Sequence, residues 1–179
     1  MAESSIARAL TQALNIQDST LGLRPELDAD YSFIADLYAE VRHDELAPVP
    51  WSDQAKREFL DAQCRLQHDH YIKHYLGADL LVITRGERSI GRIYARTTAA
   101  EIRLMDIALC GDERNKGIGE RLVRTLQAEA AKLAVELTLH VEPTNPAQRL
   151  YQRLGFRLIE NRGVYDFLGW PEAAAERIS

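Results

Sequence analysis

The spacing of apolar positions changes several times along this chain, and each change marks an element. Ile6, Ala9, Leu10, Ala13 and Leu14 recur at helical spacing within residues 1–17. They predict an amphipathic N-terminal helix or an appended segment that docks weakly. Leu21–Pro25 reads as a short first strand that Pro25 terminates. Ile34, Leu37, Tyr38 and Val41 form an i, i+3, i+4, i+7 set, with Asp28 or Asp30 placed to cap that helix. Pro48 and Pro50 stiffen the loop that ends at Trp51. Ser52 is then expected to cap a helix running to about Tyr75, with Ala55, Phe59, Ala62 and Leu66 as its apolar face and Gly77 as its stop.

The second half turns to short β-rich runs. Residues 79–84 and 89–97 predict a hairpin around Arg85–Glu87, and a strand from Glu101 extends the meander. That strand carries Ile102, Leu104, Ile107 and Leu109. From about Gly117 a helix follows, with Leu122, Val123, Leu126, Ala130 and Leu133 on one face. Val135, Leu137, Leu139 and Val141 alternate as a strand. Asn145 and Pro146 open another helix, with Pro in the first turn where its missing donor does no harm, and Gly155 stops it. Residues 156–160 and 164–170 read as a closing hairpin. The order β-α-α-β-β-β-α-β-α-β-β predicts an α/β (α+β) domain over 18–170, with an N-terminal extension at 1–17 and a tail at 171–179. A mostly antiparallel mixed sheet with helices on both faces would bury these patterns.

Composition narrows the class without naming a chemistry. At 179 residues, 46% hydrophobic and 27% charged, the chain suits a globular domain. Its net charge of −5 argues against nucleic acid as the main partner. No apolar run approaches a membrane span, and no basic region with an apolar core opens the chain, so no membrane partner and a cytoplasmic location are expected. Cys64 and Cys110 show neither pairing nor zinc-like spacing. His70 and His74 are an i, i+4 pair, but no Glu completes a His-Glu-x-x-His pattern, so they read as a polar helix face bordering a pocket rather than a metal site.

The candidate chemistry centres on Arg114-Asn115-Lys116-Gly117-Ile118-Gly119 at a strand-to-helix junction. No Ser, Thr or Asp immediately precedes the helix, and the two glycines permit close approach to the backbone. A helix start of this kind favours an anion, most plausibly phosphate, and Arg114, Lys116, Arg121 and Arg124 cluster around it. A nucleotide P-loop needs Gly-Lys-Ser/Thr, whereas Lys116 precedes the glycine and Glu120 follows. A dinucleotide fingerprint needs a small residue where Leu122 stands.

Arg114–Gly119 instead resembles the Arg/Gln-x-x-Gly-x-Gly/Ala pyrophosphate loop of the GNAT N-acetyltransferase superfamily. Asn145-Pro146-Ala147 with Leu150-Tyr151-x-x-x-Gly155-Phe156 is similar to that family's second landmark. The resemblance covers roughly residues 20–170. It implies a GNAT-type sheet of six to seven strands, acetyl-CoA as cosubstrate, no metal, and acetyl transfer to a primary amine by direct attack in a ternary complex. It assigns the pyrophosphate to Arg114, Asn115, Lys116, Gly117, Ile118 and Gly119. It assigns the pantetheine arm to the backbone of Ile107, Ala108 and Leu109, and a further coenzyme A contact to Asn145. Tyr151 falls where many relatives carry the acid that protonates the leaving thiolate.

The base is less clearly marked. Histone-acetylating relatives carry a glutamate four residues before the first pantetheine-pairing residue, but counting back from Ile107 lands on Arg103. Glu101 shares the face of Arg103 if the strand alternates regularly, and Asp106 and His140 are further candidates. Arg103 facing the acceptor would favour an acceptor with a carboxylate. Trp51 and Tyr71 are candidates to line the acceptor pocket, with core packing the default for both. A longer acyl-CoA donor and a non-catalytic acyl-CoA sensor are the rival readings. The resemblance also allows a homodimer, and no segment specifies one.

Overall fold

The computed structural model describes residues 4–171. Helix α1 (Ser5–Gln17) is capped by Ser4, whose hydroxyl accepts from the Ala7 amide at 3.0 Å. Strand β1 (Leu21–Pro25) leads through a 3₁₀ turn at Asp28–Asp30 into α2 (Tyr31–Arg42). Asp30 does not cap that helix with its side chain. Its carboxylate binds both Nη atoms of Arg24, at 2.6 and 2.7 Å, and accepts from the Leu27 amide. Helix α3 (Asp53–His74) is capped by Ser52, as its sequence predicts, and ends three residues before Gly77, whose φ of +79° suits a chain reversal.

Strands β2 (Asp79–Arg85), β3 (Arg88–Thr97) and β4 (Glu101–Leu109) form the antiparallel meander. Helix α4 (Ile118–Leu133), β5 (Glu136–Val141), α5 (Gln148–Arg153), β6 (Arg157–Asn161) and β7 (Asp166–Trp170) complete the order. Helix α5 begins later than its Asn145–Pro146 signal suggests, because those residues form the turn that precedes it. The seven strands run β1-β2-β3-β4-β5-β7-β6, and β4–β5 is the parallel pair within an otherwise antiparallel sheet.

The two faces are covered differently. Helices α1 and α4 share the main core with the sheet, where Ile6, Leu10, Leu14, Leu122, Val123 and Leu126 are fully buried. The segment expected as an extension is therefore part of the packed unit. On the other face α2 and α3 form a second cluster around Ile34, Tyr38, Leu60 and Cys64. The face expected for α3 is corrected by the structure: Phe59 and Leu66 are 40% and 64% exposed, while Leu60 and Cys64 are buried. The inward stripe continues as Gln67 and Tyr71, polar residues that an apolar template passes over.

A candidate active site where two strands part

Strands β4 and β5 pair from Glu101↔Glu136 to Leu104↔Leu139 and then separate. At the same point β4 carries a bulge: Ala95 of β3 pairs with Leu104 and Tyr94 with Asp106, leaving Met105 as the extra residue. The bulge shifts the phase of the strand. Ile102 and Leu104 lie in the main core before it, and Ile107 and Leu109 pack against that core after it. Glu101 and Arg103 therefore do not share the face of Ile107, and counting along a regular strand from Ile107 misplaces them.

Backbone parity follows from one hydrogen bond. Cys110 donates its amide to the Ile90 carbonyl at 2.9 Å. In an antiparallel ladder every second residue points the same way, so Ala108 and Asp106 also direct their peptide groups at β3. Ile107 and Leu109 then turn theirs towards the gap left by β5. Two side chains already meet carbonyls on this open side: Tyr71 Oη donates to Met105 at 3.3 Å and Arg114 Nε to Leu109 at 2.8 Å. Of the three residues assigned to the pantetheine arm, Ile107 and Leu109 present backbone to the gap, whereas Ala108 is engaged with β3.

The gap opens into a cleft of about 390 Å³ bounded by α3, β4, β5 and the start of α5. Tyr151, on α5, is 5% exposed, and its ring meets Phe156 edge-on at 5.5 Å. Its hydroxyl makes no hydrogen bond among the described residues, and the side chain lines the cleft. Burial, and after it the negative charge of Asp106, push its phenol well above the ordinary value, so it stays protonated at neutral pH. Asn145 also lines the cleft; its Oδ1 accepts from the Ala147 amide at 2.9 Å and pins the turn before α5.

The glycine-rich turn follows the C-terminal end of β4. Gly117 is the left-handed N-cap of α4 at φ +79°, and no side chain caps the helix. A Cβ built at Gly117 would meet nothing within 4 Å, and one at Gly119 would meet only Ile107 Cδ1 at 4.0 Å. Open space thus lies over the free amides of the first turn, and Ile107 joins that space to the cleft. Three of the four basic residues around it have carboxylate partners. Arg114 pairs with Glu40 at 3.2 Å, Lys116 with Glu113 at 3.3 Å, Arg124 with Glu120 at 2.9 Å, and Arg121 reaches Gln17. An uncapped helix start of this kind favours an anion through its backbone dipoles more than through net side-chain charge.

The candidate bases occupy different settings. Glu101 lies outside the lining of the cleft. Burial alone would raise its pKa, but the Thr138 hydroxyl at 2.6 Å and the Arg103 guanidinium outweigh that and hold it below the usual carboxylate range. Asp106 lines the cleft with its carboxylate against the buried Arg92, which also donates to Gln67 at 3.0 Å. His140 lines the cleft and stacks on Phe167 at 4.8 Å. Burial first, then Arg103 and Arg162, push its pKa below the ordinary 6.5. Trp51 is half exposed against Phe59 and does not reach the cleft, whereas Tyr71 does. Arg92, Gln67, Glu142 and Tyr165 were not singled out from sequence. An arginine at the centre of the apolar β3 run was the one available signal, since a buried charge needs a partner.

No group of three metal-binding side chains forms among the described residues, and no helix there is long and apolar enough to cross a membrane. Residues 77–158 match the family model described as an acetyltransferase (GNAT) domain. A mycothiol acetyltransferase of Corynebacterium glutamicum is 32% identical over 95 residues, which are 51% of this chain and 32% of that protein. The chain thus spans about a third of the length of the curated relatives it matches. The PaiA N-acetyltransferase of Thermoplasma acidophilum, solved in complex with coenzyme A, superposes with a TM-score of 0.61 at 17% identity, covering 83% of this chain and 97% of that one. A Salmonella typhimurium protein solved with its cofactor acetyl-CoA gives a TM-score of 0.51 at 19% identity over 87% and 97% of the two chains.

Proposed function

We propose that this chain, which has the fold of the acetyltransferases it superposes on, is a GNAT acetyltransferase and transfers acetyl from acetyl-CoA to a primary amine by direct attack. One observation carries the reading. An uncapped helix start with open space over Gly117 and Gly119 adjoins, through Ile107, a cleft lined by Tyr151, whose hydroxyl has no hydrogen-bond partner among the described residues.

In this reading the amides following Gly117 hold the pyrophosphate, while the Ile107 and Leu109 peptide groups take the pantetheine arm as an added strand. Arg114 releases the Leu109 carbonyl when the arm enters. The Ile107 N–H polarises the thioester carbonyl and stabilises the oxyanion that forms on it. Attack makes the new C–N bond, collapse of the tetrahedral centre breaks C–S, and Tyr151 gives its proton to the departing thiolate. The amine proton passes to His140 Nε2, directly or through water, once Arg162 gives up its contact with that nitrogen. His140 suits that role better than Glu101, because it lines the cleft and its lowered pKa keeps it neutral at pH 7. Calorimetry with coenzyme A and a thiol-release screen across amines test the proposal. Absence of coenzyme A binding would overturn it, and binding without thiol release for any amine would leave an acyl-CoA binding module.

A further inference from the structure

We infer that the amine acceptor carries an oxyanion, a carboxylate or a phosphate, which a second pocket beside the cleft holds. This deepens the acetyl-transfer reading and rests on it. The second pocket, of about 380 Å³, is lined by His70 and His74 of α3, Tyr75, Arg96 and Thr98 of β3 and its connection, and Glu101 with Arg103 of β4. It shares Tyr75 and Arg103 with the cleft, so one small molecule can reach into both.

The basic groups of this pocket are not equally engaged. Arg103 gives Nη2 to both oxygens of Glu101 and Nε to Thr138, so that pair is close to neutral. Arg96 has no carboxylate partner among the described residues and lies with its guanidinium 5.9 Å from the Tyr75 ring centroid. A guanidinium offers five donors in a fork that matches an oxyanion. His70 and His74, one turn apart, stand with ring centroids 4.6 Å apart and add two N–H donors at the same mouth. A shared metal does not account for them, since no third metal-binding side chain joins them among the described residues.

The charges of the cleft are balanced. Its carboxylates are likewise paired, Asp106 with Arg92 and Glu142 with Arg42, and Arg103 lines it as well. The cation without a carboxylate partner among the described residues is Arg96, and it complements a small amine whose far end is anionic. An acceptor with positive charge at both ends would place one of them against Arg96.

The test is a proton NMR titration of the His70 and His74 ring signals in the full chain at constant pH, with matched probes. The pairs are γ-aminobutyrate against γ-aminobutyramide, and O-phosphoethanolamine against ethanolamine. The acidic member of at least one pair should shift both signals saturably, at least about tenfold more tightly than its neutral partner. Arg96→Gln should remove that preference without changing the affinity for coenzyme A, and the tighter acid identifies the oxyanion. Neutral partners that bind as well as the acids, absence of any shift, or a preference that survives Arg96→Gln would each overturn the inference. Coenzyme A calorimetry on the same samples reports separately on the acetyl-transfer reading.

Discussion

Nε2 of His140 lies 3.1 Å from Nη1 of Arg162. A guanidinium can only donate, so this nitrogen accepts and the ring is held neutral with its proton on Nδ1. With a folded pKa below 6.5, His140 binds its proton later than the unfolded chain does on acidification. Its contribution to stability is therefore flat above the unfolded value and becomes a loss as pH falls through 6.5. The same shift bears on catalysis. If His140 takes the amine proton, kcat/KM should keep its plateau below pH 6.5 before falling. Arg162→Gln should move that acid limb upward in pH, and a limb unmoved in both Arg162→Gln and His140→Gln would remove His140 as the base.

Removing the Tyr151 hydroxyl should separate chemistry from packing. It has no partner among the described residues, while the ring is buried against Phe156. Tyr151→Phe should leave the melting temperature and coenzyme A affinity nearly unchanged while lowering kcat by about 10²-fold. Steady-state kinetics beside thermal melting checks this, and normal turnover would end the acid role.

The two glycines of the cradle should respond differently to the same methyl group. Gly117 sits at φ +79°, so Gly117→Ala forces a left-handed alanine and should cost roughly 1–2 kcal/mol of stability. Gly119 is helical, and its added Cβ would only graze Ile107, so Gly119→Ala should fold at least as well as the parent. Both should weaken coenzyme A binding. A Gly119→Ala protein that binds coenzyme A normally would argue against phosphate on the first turn of α4.

Helix α1 should behave as core. Leu10 is 0% exposed within the cluster that includes α4, and Leu10→Ala should cost about 2–5 kcal/mol in chemical denaturation. A loss below about 1 kcal/mol would mean that α1 docks weakly.

The order of elements and the cradle were legible because their signals are local: Ser52 as a cap, glycines at turns, a two-residue period in β5. What was not legible depends on register. The bulge at Met105 has no sequence mark, and it decides which side chains join Ile107 on one face. The inward stripe of α3 escapes an apolar template because Leu60 and Cys64 continue as Gln67 and Tyr71, residues turned inward by the cleft rather than by hydrophobicity. The pairing of Arg92 with Asp106 joins residues on neighbouring strands and appears only once their register is known.

The change of phase at Met105 also divides the labour of one strand. Residues before it, Glu101 and Arg103, hold their peptide bonds in the sheet and show charge towards the second pocket. Residues after it, Ile107 and Leu109, turn open peptide groups to the gap, where side-chain identity matters little. In the proposed enzyme the donor is gripped by backbone and the acceptor is chosen by side chains, a few residues apart on a single strand. Acceptor preference can therefore drift through substitutions at positions 101 and 103 of this strand, and at 96 of the neighbouring β3, while the grip on the donor stays constant.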